Sequence, residues 1–304
     1  MSIPCPLCHS TNTSCQEAIS VTELNALYER KFGVVGALKS PSLEYRICLN
    51  CALGFFNPME TGGEDMYEQL QTFDWYYMAD KEEYRIAQQL IPSEGLVLEV
   101  GSGKAAFAVF FGANRYTGLE FNEQAIEKAA LSGIALLKEA VEDHARKCPQ
   151  KYDVVVSFQV LEHVGAPATF ISGCVDCLKP GGILILSVPS RDGFLGRAIN
   201  SILDMPPHHV THWSVNTLKK LGPQFGLKCC TVVYEPVADY HLNWARKVIL
   251  EARLRGWLGM DEVLLDSRMS ANIISKFSSL LAYFWKFNLA GLKGHSMIAC
   301  YVKE

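Results

Sequence analysis

The sequence predicts an α/β fold built on a mostly parallel sheet, with a small cysteine-bearing module in front of it. Three observations carry this expectation. Between residues 95 and 236 short apolar runs alternate with helical segments, the pattern of βαβ units. The first of those runs, "GLVLEV", ends in a glycine-containing turn, "GSGKA", that opens the next segment. The first 58 residues hold two Cys-x-x-Cys pairs. The chain has 304 residues, 49% of them hydrophobic and 20% charged, which suits one large domain with appendages and a full core.

Residues 1–58 form the first module, opening with "CPLC" and closing with "CLNCALGFFNP". Cys5, Cys8, Cys48 and Cys51 are spaced as two knuckles of the kind that bind tetrahedral zinc through four thiolates. The gap between the pairs is longer than in the usual ribbon, and the helical stretch "AISVTELNALYERKFG" accounts for it. His9 and Cys15 stand close enough to swap in as ligands; four reduced structural thiols are the other reading. Cys174 and Cys177 also read Cys-x-x-Cys, but they lie in a helix that faces the sheet, where packing is the expected role. Residues 59–94 are a polar and aromatic linker of one or two helices.

From residue 95 to 304 the strands are "GLVLEV", "RYTGLEF", "IALLKEA", "YDVVVSF", "ILILSVP", "KCCTVVYEP" and "HSMIACYVK". The helices between them are "AAFAVFF", "NEQAIEKAALSG", "FISGCVDCL" and "VNTLKKLGPQFG", and "KPGG" is a turn before the fifth strand. An irregular span with "MPPHHVTHWS" follows that strand, and residues 237–293 are a mostly helical insert that covers the site or forms an interface. The cysteine module and this core are expected to be separate bodies.

The formal net charge is −4 and no Lys or Arg run stands out, so no nucleic-acid footprint is expected. "MSIPCPLC" lacks the basic and apolar regions of a secretory signal, and "IISKFSSLLAYFWKFNLAGL" is too interrupted by Lys276, Lys286 and Asn288 for a spanning helix. Eleven cysteines then predict reduced thiols, metal ligands and a cytoplasmic setting. Nothing in the sequence fixes an oligomeric state.

Ligands of open α/β sheets bind at the carboxyl ends of the strands. Gly101 and Gly103 let the backbone turn tightly and approach a ligand, and Glu120, ending the second strand, is placed to accept from ribose hydroxyls. With Ala106 these residues satisfy a dinucleotide fingerprint, but Glu99 argues against one: a carboxylate repels a pyrophosphate and attracts a cationic head. S-adenosylmethionine (SAM) carries an ammonium, a sulfonium and a ribose, and it fits both acids. The plainer role for Glu99 is to cap the turn or the next helix.

The set "VLEVGSG…GLEFN…YDVVVSFQVLEHV…LKPGGILILSVPS" resembles the class I SAM-dependent methyltransferases over about residues 95–235. The resemblance implies a Rossmann-like sheet of seven strands, the last antiparallel, with helices on both faces. It implies that Glu99, Gly101, Ser102 and Gly103 hold the methionine part of SAM, and that Glu120 binds the ribose with Phe121 beside the adenine. The third family glycine is Ala105 here. "EAVEDH" stands where the family contacts the adenine edge, giving Val141 and Glu142, and Phe158 and Gln159 fall beside the reacting methyl. Tyr76 and Tyr77 precede the first strand where this fold places a lid, which makes Tyr76 a substrate-side candidate.

The N-terminal module is similar to that of zinc-ribbon methyltransferases that act on deoxysugar nucleotides. Those carry His-Glu-His-x-x-Tyr-Phe-Ser after the fifth strand; here the stretch is "PHHVTHWS". His209 falls on the family's proposed base, Ser214 matches, and Pro207, His208, His212 and Trp213 replace the family residues. The resemblance implies a structural zinc and a small-molecule acceptor, a sugar or glycan-related metabolite methylated at oxygen or carbon. A hydroxyl or carbon nucleophile needs a base, and imidazole suits that role. His209 and His212 are the catalytic candidates and His208 a substrate-side one, against the alternative that each only anchors a loop; His163 lines the site or packs. Two other functions compete. An RNA methyltransferase with a zinc module is disfavoured by the charge, and a decayed SAM- or zinc-binding scaffold by the intact Glu99, Gly101, Gly103 and Glu120 set.

Overall fold

The computed structural model describes residues 2–70, 73 and 81–304. The cysteine module comprises β1 (Thr13–Ile19), α1 (Val21–Phe32), β2 (Leu43–Cys48) and β3 (Gly54–Asn57). Ser20 caps α1 by accepting from the Glu23 amide, and Gly33 ends it at a φ of +69°. Helices α2 (Glu64–Leu70) and α3 (Glu82–Leu90) follow. Tyr76 and Tyr77 lie outside the described residues.

The core then runs β4 (Val97–Val100), β5 (Tyr116–Leu119), α4 (Glu123–Leu131), β6 (Leu136–Leu137), α5 (Val141–Lys147), β7 (Tyr152–Phe158), α6 (Pro167–Cys177) and β8 (Leu178–Pro189). After a long loop come β9 (Thr211–His212), α7 (Val215–Leu221), β10 (Leu227–Tyr234), α8 (Leu242–Trp257), α9 (Met269–Phe284) and β11 (Ser296–Lys303). Among the described residues the large sheet has seven strands in the order β10-β11-β8-β7-β4-β5-β6. β4 to β8 pair in parallel, and β11 runs antiparallel to both of its neighbours. This is the Rossmann-like class I sheet that the resemblance implies. The valines of "YDVVVSF" are buried, as a central parallel strand covered on both faces requires.

Three local expectations change. "AAFAVFF" winds only into a short 3₁₀ segment, Ala106–Phe110, entered by Ala105 at a φ of +55°. "KPGG" lies inside β8 rather than before it: the register slips between Tyr152 and Val154, and Gly181, at a φ of +73°, takes up the slack. The largest change concerns the histidine segment. Thr211 and His212 form a strand on β3, so the four-stranded sheet β1-β2-β3-β9 belongs to both the cysteine module and the core.

Packing joins the same two bodies. Cys5, Cys48, Leu53 and Phe55 share one buried cluster with Leu98, Leu186 and Trp213, so the module and the large sheet have no separate interiors. A second cluster sets Tyr28 and Phe56 against Ile202 and Met205 of the loop before β9. Among the described residues, no helix is long and apolar enough to cross a membrane.

Candidate functional site

The strand order reverses around β4, which has β5 on one side and β7 on the other, and the carboxyl ends of these strands frame a cavity of about 1430 Å³. One end of it is the loop after β4. Gly101 has a φ of +74°, and a Cβ there would meet Val160 Cγ2 at 2.3 Å, so both conformation and space exclude a side chain. Ala105 also holds a left-handed conformation, so the position of the family's third glycine keeps the glycine backbone at some strain. Glu120 ties the end together: one carboxylate oxygen accepts from the Gly103 amide at 2.7 Å, the other from the Phe121 and Asn122 amides at 2.9 Å each. Asn122 in turn caps α4. The Phe121 ring stands 59% exposed at the cavity wall.

Glu99 is placed differently. It is 1% exposed, does not line the cavity, and accepts a short hydrogen bond from the Tyr116 hydroxyl. Burial pushes its pKa up to about 8, against the pull of that hydroxyl. Val141 and Glu142 open α5 and do not line the cavity either. Phe158 and Gln159 do. Gln159 has a φ of +56°, and its amide donates to Glu83 Oε2 at 3.0 Å, Ser187 Oγ at 3.1 Å and Ser296 Oγ at 3.2 Å.

The opposite end holds a cluster of imidazoles and carboxylates. Glu162 and His163 come from the short turn after β7, and Asp204, His208 and His209 from the loop before β9; all five line the cavity. The Tyr28 hydroxyl donates to the Ile202 and Met205 carbonyls at 2.9 and 3.0 Å, and the Phe56 amide to the Val210 carbonyl at 3.1 Å. The cysteine module thus holds the histidine loop in place. His209 Nδ1 donates to Asp204 Oδ1 at 2.9 Å. Burial alone would raise Asp204, but His212 and His209 beside it hold its carboxyl below the usual range. Burial lowers His163 to about 3 and His208 well below its ordinary value, disfavouring the charged form of both rings. His212 does not line the cavity. Its Nε2 donates to the Asp204 carbonyl at 2.7 Å, its Nδ1 faces Arg191 at 3.2 Å, and its ring packs edge-on against Phe56.

The structure therefore brings Gly101, Ser102, Gly103, Glu120, Phe121, Phe158, Gln159, His208 and His209 around one cavity and leaves Glu99, Val141, Glu142 and His212 outside it. It adds residues the sequence did not flag. Glu83 and Asp204 are in the wall, and Trp244, Lys247 and Val248 of α8 close it, so the first helix of the insert covers the site. Among the carboxylates near the histidines, Glu162 alone had a sequence signal, its adjacency to His163.

Away from the cavity the four module cysteines converge. Their sulfurs lie within 4.8 Å of one another, with Cys5 and Cys51 3.6 Å apart and Cys8 and Cys48 3.5 Å apart. Tetrahedral zinc with bonds of ~2.3 Å separates its sulfurs by about 3.8 Å. The two knuckles are alike: the His9 amide donates to the Cys5 carbonyl, the Ala52 amide to the Cys48 carbonyl, and His9 and Ala52 take left-handed conformations at φ +58° and +65°.

Known proteins agree with this architecture. A family described as "Methyltransferase domain" matches residues 71–232, over half of the chain. A ubiquinone biosynthesis O-methyltransferase of Serratia proteamaculans (strain 568) is 36% identical over 104 residues, 32% of this chain and 43% of that protein. One from Klebsiella pneumoniae (strain 342) is 37% identical over 105 residues, with the same coverage of 32% and 43%. The chain thus spans under half the length of these relatives. Among solved structures, a SAM-dependent methyltransferase from Archaeoglobus fulgidus superposes with a TM-score of 0.51 at 14% identity, covering 78% of this chain and 100% of that one, a likeness of fold. By its matched domain, with a strand order and a loop after β4 that fit it, the chain belongs to the methyltransferase-domain family.

Proposed function

We propose that the enzyme transfers the SAM methyl group to a hydroxyl of a small molecule, with a sugar or glycan-related metabolite as the acceptor class. One observation carries this reading: a single cavity has the cofactor loop at one end and the histidine–carboxylate cluster at the other. Its volume of about 1430 Å³ exceeds the roughly 300–1,000 Å³ of an ordinary ligand pocket and leaves room for cofactor and acceptor together. Glu120 takes the ribose, Phe121 the adenine face, and Gly101, Ser102 and Gly103 the methionine part. Glu99, neutral in the free protein, acts on that part once the cationic head of SAM draws its buried carboxyl into the charged form, and the backbone around Val141 and Glu142 sets the adenine end. The acceptor's hydroxyl loses its proton at the opposite cluster, where His209, fixed by Asp204, is the side chain on which the step depends. His212 serves as the anchor of Asp204. Trp244, Tyr240, Glu235 and Glu251 all line the cavity, and a mixture of aromatic rings and carboxylates suits a polyhydroxylated ring. The names of the relatives point to an oxygen acceptor. Zinc bound by Cys5, Cys8, Cys48 and Cys51 is the structural part of the reading, supported by the sulfur spacing.

Methyl-labelled SAM offered with a panel of sugars, sugar nucleotides and phenols tests the acceptor class. The reading expects label on an oxygen of a small molecule. Label found only on RNA, or only on carbon, contradicts it.

A further inference from the structure

We propose that the histidine cluster in the cavity is a second metal site, holding one divalent transition-metal ion on His163, His208 and His209 with Glu162 as the fourth protein ligand. The ligand atoms of the three histidines lie within 4.8 Å of one another. Each ring is oriented from its far side: His163 Nδ1 lies 2.6 Å from the His208 carbonyl, His208 Nδ1 2.8 Å from the Leu203 carbonyl, and His209 Nδ1 2.9 Å from Asp204 Oδ1. Carbonyls and carboxylates only accept, so Nδ1 carries the hydrogen in all three rings and the lone pair of a neutral ring sits on Nε2. A backbone carbonyl or carboxylate behind each imidazole is the support that metal-bound histidines ordinarily have.

Glu162 is the independent observation. It is 1% exposed, and neither carboxylate oxygen has a hydrogen-bond partner among the described residues. A buried carboxyl left so is expensive, and a bound cation would remove the penalty. Its Oε1 lies 3.8 Å from His163 Nε2 and 4.0 Å from His209 Nε2, so one carboxylate oxygen faces the Nε2 atoms of two of the rings. Bonds of ~2.0–2.1 Å in a tetrahedral site set such ligands about 3.4 Å apart, so an ion would draw Glu162 closer by about half an ångström and the histidine atoms, now within 4.8 Å, by up to about 1.4 Å. Three imidazoles and one carboxylate favour zinc, cobalt, nickel or iron over the hard cations magnesium and calcium.

The ion-binding claim stands on these side chains alone; its chemical role rests on the methyltransferase reading above. An acceptor hydroxyl entering from the cavity would join the ion as a fifth ligand and become more acidic. Its proton leaves to water in the cavity. The oxygen then bonds to the methyl carbon as the carbon–sulfur bond breaks, and the sulfonium becomes a neutral thioether with no change in the metal. His209 acts in this scheme as a ligand held by Asp204.

The test titrates cobalt(II) into the full-length protein whose cysteine site is already loaded with zinc. One further equivalent should bind, with the visible ligand-field bands of a nitrogen–oxygen site and no thiolate charge-transfer absorption. His208→Ala and Glu162→Gln should each weaken that binding at least tenfold while SAM binding, read by calorimetry, persists and shows that the fold is intact. No second equivalent in the wild type, or undiminished uptake by a His163→Ala, His208→Ala, His209→Ala triple variant that still binds SAM, overturns the site. If cobalt binds as described but methyl transfer is indifferent to its removal, the ion's role in the reaction is overturned and the site stands. If cobalt binds and no hydroxyl acceptor is ever methylated, the acceptor reading fails instead.

Discussion

The end of the cavity that we assign to the cofactor comes from one stretch of chain, Gly101 to Phe121, whereas the end we assign to the acceptor gathers Glu162 and His163 from one turn and Asp204, His208 and His209 from a distant loop. The first end is held by its own backbone, with Glu120 gripping the Gly103, Phe121 and Asn122 amides. The second is held from outside, by Tyr28 and Phe56 of the cysteine module and by β9 on β3. The contrast teaches that the module supports the histidine end of the cavity rather than the loop after β4. Changes to the module should therefore reach the acceptor before they reach SAM.

The largest expected effect breaks that support. A structural zinc contributes roughly 10 kcal/mol or more to the folding of small metal-dependent modules. Cys48→Ser should lower the melting temperature, release the metal on elemental analysis, and lower methyl transfer far more than SAM affinity. Equal losses of both would mean that the two ends are not separable.

Next in size is the acceptor cluster itself. Removing a proton-transfer contribution typically lowers a rate about 10²–10⁴-fold. His209→Ala should slow turnover on that scale, and His212→Ala should slow it less, because His212 reaches the cavity only through Asp204. A larger loss at His212 would move the decisive imidazole outside the cavity wall and contradict the placement.

A smaller effect sharpens the account of the cofactor end. Burial raises the Glu99 pKa from 4.5 to about 8, so the folded protein favours its neutral form. The stability it contributes is present below about pH 4.5 and is lost as pH rises toward about 8. Glu99→Gln stays neutral at every pH. Thermal melts without SAM should therefore fall more steeply over that window in the wild type than in the variant. Parallel curves would show that Glu99 is not the buried acid described.

The same contrast explains what the sequence revealed. The cofactor end was legible because its determinants are local: a turn that needs glycine, an acid at a strand end, an apolar run ended by a loop. The parallel sheet followed from the same alternation, and "YDVVVSF" matches β7 from Tyr152 to Phe158. The acceptor end was only half legible. Three histidines in one loop pointed to chemistry, but nothing local showed that His209 would face the cavity and His212 turn to Phe56. That choice depends on β9 pairing with β3, a contact between residues far apart in the chain. Glu99 shows the converse. Its place in a motif pointed to a ligand, while the pleat of β4 and the Tyr116 hydroxyl bury it.

On our proposal, one cavity divides cofactor and acceptor between two separately supported ends. Calorimetric titration of SAM into the wild type, Glu120→Ala and His209→Ala tests it most directly. Glu120→Ala should lose about 1.5–3 kcal/mol of SAM binding, the scale of a hydrogen bond to a charged group, and His209→Ala should bind as the wild type does. Wild-type affinity in Glu120→Ala, or a comparable loss in His209→Ala, would contradict the account.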